Sequence, residues 1–254
     1  MRTQLIPRER PPVPPAPADR RTLAEEVLIV LALTFLASAV FAILDLLAAP
    51  ISGVYVAAGD QSNEFAKQLA GFVFGLAPFF LILYLFRRDG EGAVGLGLDL
   101  GQPRRDLVRG LLLWVVVAAG GIAIYLGAVQ LGVNRFVIPV PPLHHWWTGP
   151  ALLMNAAQAA LLEEGIVVGY LVTRLEQIGW SPLVAVLASA VLRGSYHLYQ
   201  GWGGFAGNLL MGLLFALLFI RWRRTWPFVV AHFFLDVGAG VGWLLFRHHL
   251  PGFS

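Results

Sequence analysis

The chain contains the segment GPALLMNAAQAALLEEGIVVGYLVTRL at residues 149–175. Its charged side chains are two adjacent carboxylates, Glu163 and Glu164, and an arginine, Arg174, close to its end. The segment exceeds the roughly 20 apolar residues that an α-helix needs to cross the hydrocarbon core of a bilayer. It therefore predicts a transmembrane helix that carries a polar centre inside the membrane.

The composition of the whole chain points to lipid as its solvent. Of the 254 residues, 57% are hydrophobic and 13% are charged, and the mean hydropathy is +0.71. A soluble domain has about 45–50% apolar and about 25% charged residues. We expect an all-α, polytopic transmembrane bundle.

The chain has no cysteine, which excludes disulfide and thiolate chemistry. Its many arginines and single lysine, Lys67, suggest a bacterial source.

Hydropathy divides the chain into seven apolar segments that are long enough, or nearly so, to span a bilayer. An eighth, shorter segment around 51–58 stays an alternative. The seven predicted spans are 24–48, 65–86, 108–130, 149–175, 181–200, 203–221 and 226–247.

Residues 1–21 contain many prolines and arginines and predict a disordered cytoplasmic tail, followed by a transmembrane domain over 22–254. Most of the 18 basic residues flank spans on the side of this tail. Cytoplasmic loops carry such an excess of arginine and lysine. We therefore expect a multi-pass protein of the cell membrane with a cytoplasmic N-terminus and an external C-terminus. The same placement of arginines argues against nucleic acid as a partner despite a pI near 9.6, and membrane lipid is the expected surrounding.

Several ionisable side chains lie within the predicted spans. An ionisable group inside a bilayer costs at least about 2.5 kcal/mol and usually has a partner or a function. Except for Asp45, these groups fall in the second half of the chain, where the fourth, fifth and seventh spans carry Glu163, Glu164, Arg193, His197, His232 and Asp236.

Spacing along a helix predicts which of these groups share a face. Arg193 and His197 are four residues apart, as are His232 and Asp236. Adjacent carboxylates point about 100° apart, so one of the two glutamates can face a reacting site while the other faces a supporting partner. A base, two imidazoles and a cation can together activate water. Buried ion pairs that only hold helices together are the alternative.

The motifs at these positions resemble the CPBP family, the CAAX protease and bacteriocin-processing intramembrane proteases. That family has Glu-Glu-x-x-x-Arg, Phe-x-x-x-His and His-x-x-x-Asn/Asp motifs on successive helices. This chain has Glu163-Glu164 followed by Val168, Arg193 followed by His197, and His232 followed by Asp236. The resemblance covers about 150–243, which would be the catalytic core.

The resemblance implies an intramembrane endopeptidase in which Glu163, helped by His197, activates water, while His232 and Asp236 stabilise the oxyanion or Asp236 orients His232. Two positions depart from the family pattern, because Val168 replaces its arginine and Arg193 replaces its phenylalanine. A buried arginine needs an acid. We therefore expect Arg193 to pair with Glu164, which includes both residues in the site.

The sequence leaves the cofactor and part of the function open. Glu163, His197 and His232 are candidate ligands for a divalent metal such as zinc, and a metal-free reaction is equally compatible with the spacing. The expected substrate is a membrane-associated peptide or protein. The main alternative is a non-catalytic membrane scaffold or immunity factor that keeps the polar network for stability. A proton-relay transporter is weaker, because the chain shows no internal repeat.

Overall fold

The computed structural model describes residues 20–48, 54–56, 65–138 and 146–246. Apart from two short strands, the regular structure in these ranges is helical. The helices are α1 (Arg20–Ala32), α2 (Phe35–Ala48), α3 (Phe65–Gly75), α4 (Ala77–Arg88), α5 (Gly92–Gly95), α6 (Pro103–Gln130), α7 (Thr148–Leu162), α8 (Leu171–Ile178), α9 (Pro182–Tyr196), α10 (Trp202–Trp222) and α11 (Trp226–Phe246), with a π-helical segment, Glu163–Tyr170, and a 3₁₀ turn, Leu198–Gln200.

Every predicted apolar segment is largely helical wherever the structure describes it. Five stretches of the described residues are long and apolar enough to cross a membrane, and α9 is a shorter apolar helix. The five are Gly71–Arg88, Pro103–Gln130, Gly149–Ile178, Trp202–Trp222 and Trp226–Phe246. The all-helical, multi-pass architecture is therefore confirmed, whereas the count of seven or eight spans stays a prediction.

The first two predicted spans are each divided into two helices. Helix α1 has 13 residues and α2 has 14, and a turn at Leu33 and Thr34 separates them. The hydroxyl of Thr34 donates to the carbonyl of Val30 at 2.7 Å, a local bond that competes with helix geometry. Between α3 and α4, Leu76 is non-helical and Pro78, which has no N–H, lies at the start of α4.

Helix α1 begins at Arg20, so the predicted end of the tail at residue 21 falls inside this helix. Residues 1–19 lie outside the described part of the structure.

Helix α7, the π-helical segment and α8 form one continuous helix through the centre of the bundle. Residues 164–170 are all buried. A Cβ on Gly165 would meet the Phe79 ring of α4 at 2.9 Å, and one on Gly169 would meet the carbonyl of Leu96 at 3.0 Å. The two glycines therefore allow the π-helical segment to approach its neighbours closely, as small residues do between membrane helices.

The remaining helices surround this central helix. Helix α10 packs against α9 and α6, and α11 packs against α6 and α7. The core between them is rich in aromatic side chains, and the rings of Phe215 and Phe228 stack at 5.0 Å between centroids.

The predicted fifth span, 181–200, is shorter as a helix than the sequence suggests. Helix α9 begins after Ser181, whose hydroxyl accepts from the N–H of Val184, and ends at Tyr196. His197 follows the helix, and Gly201, with φ of 110°, turns the chain into α10. The prediction that His197 lies within the helix is therefore wrong. The chain has to turn between α9 and α10, and it does so through the 3₁₀ turn and Gly201, because glycine readily adopts a positive φ.

The two strands lie in loops that connect helices. Val54–Val56 pairs in parallel with Phe136–Ile138. The possible eighth span around 51–58 contains the first of these strands, so its described residues are extended rather than helical.

Two buried arginines join loops and helices on the side that the sequence predicts to be cytoplasmic. Arg174 of α8 binds Glu26 of α1 at 3.0 Å, Asp89 at 2.7 Å and Glu91 at 2.5 Å. Arg224, in the turn between α10 and α11, contacts Asp99 and Asp106. These ion pairs connect α1, α6 and α8 with the segments between α4 and α6 and with the turn between α10 and α11.

Candidate active site

The π-helical segment begins with the two adjacent glutamates, so both carboxylates lie where the helix widens. A π-helical turn inserts a residue into an α-helix and often occurs at functional sites. Glu164 is fully buried, whereas 15% of the Glu163 side chain is exposed. The predicted division between an accessible and a supporting carboxylate is therefore present.

Glu164 forms a two-pronged ion pair with Arg193 of α9. Nη1 of Arg193 donates to Oε2 at 3.0 Å and Nη2 donates to Oε1 at 2.6 Å. Both side chains are fully buried. The expected pairing of Arg193 with Glu164 is confirmed. Val168, the position of the family arginine, is buried in the apolar core, so the guanidinium reaches Glu164 from the neighbouring helix.

His232 of α11 joins the same cluster. Its Nδ1 lies 2.6 Å from Oε1 of Glu164 and 3.2 Å from Nη2 of Arg193. We assign Nδ1 as the donor to Glu164 because that contact is shorter and its partner is an acceptor. The other ring nitrogen, Nε2, lies 3.6 Å from Oδ2 of Asp236. That distance is too long for a hydrogen bond, so Asp236 is a charged neighbour of the ring rather than a hydrogen-bond partner.

Glu163 lies on the other side of the guanidinium. Its Oε2 accepts a hydrogen bond from the hydroxyl of Tyr196 at 2.8 Å and lies 3.4 Å from Nη2 of Arg193. One guanidinium nitrogen is therefore close to both glutamates and to His232, which brings three helices to one point. Both contacts of Glu163 with described residues involve Oε2, so Oε1 is the oxygen left for a water molecule.

His197 lies at the edge of this cluster rather than inside it. Its Nδ1 is 3.0 Å from the carbonyl of Arg193, one turn earlier in the chain. Its ring packs against Tyr196 with 4.7 Å between centroids and against Tyr199 with 6.0 Å. Since Tyr196 binds Glu163, the His197 ring is adjacent to the residue that holds the carboxylate. If Nδ1 donates to the carbonyl, Nε2 is left as the acceptor.

The candidate metal ligands do not fit a metal ion in this arrangement. Among the described residues, no group of three or more His, Asp or Glu side chains is placed to hold one. The guanidinium of Arg193 lies within 3.4 Å of Glu163 and 3.2 Å of His232, and this fixed positive charge would repel a dication bound by them. The sequence left a metal open, with Glu163, His197 and His232 as candidate ligands, and the described structure does not group these three side chains as metal ligands.

Sequence reasoning found most of this cluster and missed one member. The structure brings together Glu163, Glu164, Arg193, His232 and Asp236, all of which the motifs indicated, and leaves His197 at the edge. The missed residue is Tyr196, which is 6% exposed. Its position three residues after Arg193 on α9 was the available signal, because residues at that spacing share a helix face. The side chain of Asp45 lies outside the described part of the structure.

Comparison with known proteins bears on the class of the protein. Residues 145–238 match the model of a family described as type II CAAX prenyl endopeptidase Rce1-like. The match covers less than half of the chain and contains every residue of the cluster. It confirms the resemblance to the CAAX protease family that the motifs suggested.

No curated protein and no solved structure matches the chain. At the level of the family, the chain is similar to membrane proteases that hydrolyse peptide bonds.

Proposed function

We propose that this protein is an intramembrane endopeptidase that hydrolyses peptide bonds of membrane-associated substrates with water activated by Glu163. The observation that carries the proposal is that Glu163, Glu164 and His232 all lie close to Nη2 of Arg193. Three helices supply these four side chains. The similarity to a protease family over the same residues supports it.

The partners of each carboxylate favour Glu163 as the general base. Glu164 is occupied by Arg193 through both oxygens and by His232 through one. Both close contacts of Glu163, with Tyr196 and Arg193, involve Oε2, and 15% of its side chain is exposed. A base must lie within about 2.6–3.2 Å of the water that it deprotonates, and we assign this role to Oε1 of Glu163, the oxygen that the hydrogen bond from Tyr196 does not use.

The proposed reaction needs no further group. Glu163 takes a proton from water as the water oxygen attacks the peptide carbonyl. In this step His232 is an imidazolium with a proton on each ring nitrogen: Nδ1 donates to Glu164 and Nε2 donates to the resulting oxyanion, while Asp236 lies beside the ring. Glu163 then gives its proton to the departing amine, and the carbonyl re-forms as the C–N bond breaks. His197, with Nε2 free to accept, assists the proton transfer.

A cleavage assay with purified protein in liposomes tests the proposal. Membrane peptides of varied sequence are the substrates, and products are identified by mass spectrometry. Glu163→Gln keeps the size of the side chain but removes the base, which typically costs about 10²–10⁴-fold in rate. Glu25→Gln is the matched control, because Glu25 is exposed and its ion pair among the described residues is with Arg21 on α1.

Two results would contradict the proposal. One is cleavage that Glu163→Gln leaves unchanged, which would show that Glu163 is not the general base. The other is no cleavage by folded protein over the whole substrate set, which would favour the scaffold.

A further inference from the structure

We propose that Tyr196 is a positioning residue for this site, holding Oε2 of Glu163 so that the carboxylate is ionised and its other oxygen faces the reacting water. The inference rests on the proposed function and adds a residue that the family motifs do not contain.

The first observation is the contact itself. The Tyr196 hydroxyl donates to Oε2 of Glu163 at 2.8 Å. A phenol has a single proton to donate, and an ionised carboxylate only accepts. The hydrogen bond therefore favours the ionised form of Glu163, which is the form that can take a proton from water.

The second observation is that the phenol ring is fixed in place. Tyr196 is buried, and its ring lies 4.7 Å from that of Phe35 in α2 and 4.7 Å from that of His197. Ala39 and Val167 complete this small cluster. A ring packed against two other rings keeps its hydroxyl at one point, so the hydrogen bond needs little reorganisation during the reaction.

The third observation is that the other contact of Glu163 is weaker. Nη2 of Arg193 lies 3.4 Å from Oε2 and is already engaged with Glu164 at 2.6 Å. The charged and titratable groups around Glu163 are Arg193, the imidazoles of His232 and His197, and the carboxyl of Asp236. These groups set the charge around Glu163, whereas the hydrogen bond from Tyr196 fixes the direction of its carboxylate.

The test is Tyr196→Phe, which removes one oxygen and keeps the ring. We expect kcat to fall about ten-fold or more, in line with loss of a hydrogen bond to a charged group. The acid limb of the pH–rate profile should move to higher pH, because the ionised form of Glu163 loses a stabilising donor. KM should change little, since Tyr196 does not touch the substrate.

Tyr170→Phe is the matched control. The Tyr170 hydroxyl also donates to a carboxylate, Glu26, at 3.0 Å, and this residue is also buried. It lies in the Arg174 network, away from the site. Loss of its hydroxyl should lower thermal stability to a similar degree as Tyr196→Phe but should leave the pH–rate profile in place.

A spectroscopic measurement separates this inference from the proposed function. In infrared spectra, the protonated-carboxyl band that is absent from Glu163→Gln reports Glu163 alone. In Tyr196→Phe this band should appear at higher pH than in the wild type, whether or not the protein cleaves a peptide. A shifted band without any cleavage would support the positioning role and overturn the protease proposal. An unmoved band together with an unmoved pH–rate profile would overturn the role of Tyr196.

Discussion

Two fully buried arginines, Arg174 and Arg193, lie beside clusters of carboxylates, but the two clusters differ in how completely they are paired. All three guanidinium nitrogens of Arg174 bind side chains, and its charge lies 3.9 Å from the centre of the Phe86 ring. Arg193 binds through Nη1 and Nη2 only, and its Nε has no partner among the described residues.

The acids around the two arginines differ in the same way. Glu26, Asp89 and Glu91 each contact Arg174 and are nearly buried. Around Arg193, Glu163 keeps one oxygen without a described partner, and 40% of the Asp236 side chain is exposed. A fully paired network makes the core rigid, whereas an acid with an unpaired and partly exposed oxygen can still accept a hydrogen bond from a reactant. This difference favours a functional role for the Arg193 cluster.

Arg174→Met should have the largest effect on stability. It leaves three nearly buried carboxylates without their shared cation, and truncating one member of a buried ion pair costs about 3–5 kcal/mol. Thermal unfolding in detergent measures the loss. Arg21→Met is the control, because the exposed pair of Arg21 with Glu25 should be worth less than about 1 kcal/mol. Equal shifts for the two variants would mean that the Arg174 network does not stabilise the fold.

Arg193→Phe should be less destabilising than Arg174→Met but should abolish cleavage. The expected cost is about 3 kcal/mol, at the lower end for a buried pair, because Glu164 keeps His232 as a partner. Phe is the family residue at this position, so the side chain itself suits the fold.

Adding Val168→Arg to Arg193→Phe sharpens this prediction. The second change rebuilds the usual family arrangement and should restore much of the stability and activity. Thermal unfolding and cleavage of both single variants and the double variant form a double-mutant cycle. Simple addition of the two effects would show that Arg193 does not replace the family arginine.

Substitution of Glu164 should lower both stability and activity, whereas substitution of Glu163 should lower activity alone. Glu164→Gln removes a charge bound by Arg193 and His232 and should cost about 1.5–3 kcal/mol together with activity. Glu163→Gln should change stability by less than about 1 kcal/mol, because an amide oxygen still accepts from Tyr196. Thermal unfolding of both variants tests this difference, and equal losses would contradict the division of roles between the two carboxylates.

The smallest expected effect is a pH-dependent change in stability from the ion pair between Asp99 and Arg224. A hydrogen bond from Arg224 lowers the pKa of Asp99 from its usual value near 3.8, against the opposing effect of burial. Because the pKa is lower in the folded state, the stabilisation is complete above the unfolded pKa and is lost as pH falls through the folded one. Asp99→Asn should therefore be less stable than the wild type at pH 6, and the gap should narrow as the pH falls below about 3.9, the ordinary pKa of an aspartate. A gap that is constant with pH would exclude this ionic contribution.

Much of the site could be predicted because placing its ionisable side chains in a membrane costs free energy. Glu163, Glu164, Arg193, His232 and Asp236 stand out in apolar segments, and an arginine inside a span must have an acid near it. The role of Arg193 followed from that requirement and from the missing arginine at Val168. Tyr196 did not stand out, because a tyrosine beside a helix end is common and only the distance to Glu163 gives it meaning.

The sequence by itself determined that the chain forms apolar helices, where most of them lie, and which charged groups must be partners. Those properties follow from transfer free energies and from local spacing, which depend on residue type and order. The tertiary structure alone decided where α9 ends, that the glutamates begin a π-helical segment, and that three helices meet at one nitrogen of Arg193. Only it showed that His197 lies at the edge of the cluster and that Tyr196 lies inside it. These features depend on distances between residues far apart in the chain, and such distances are set by packing of the whole bundle.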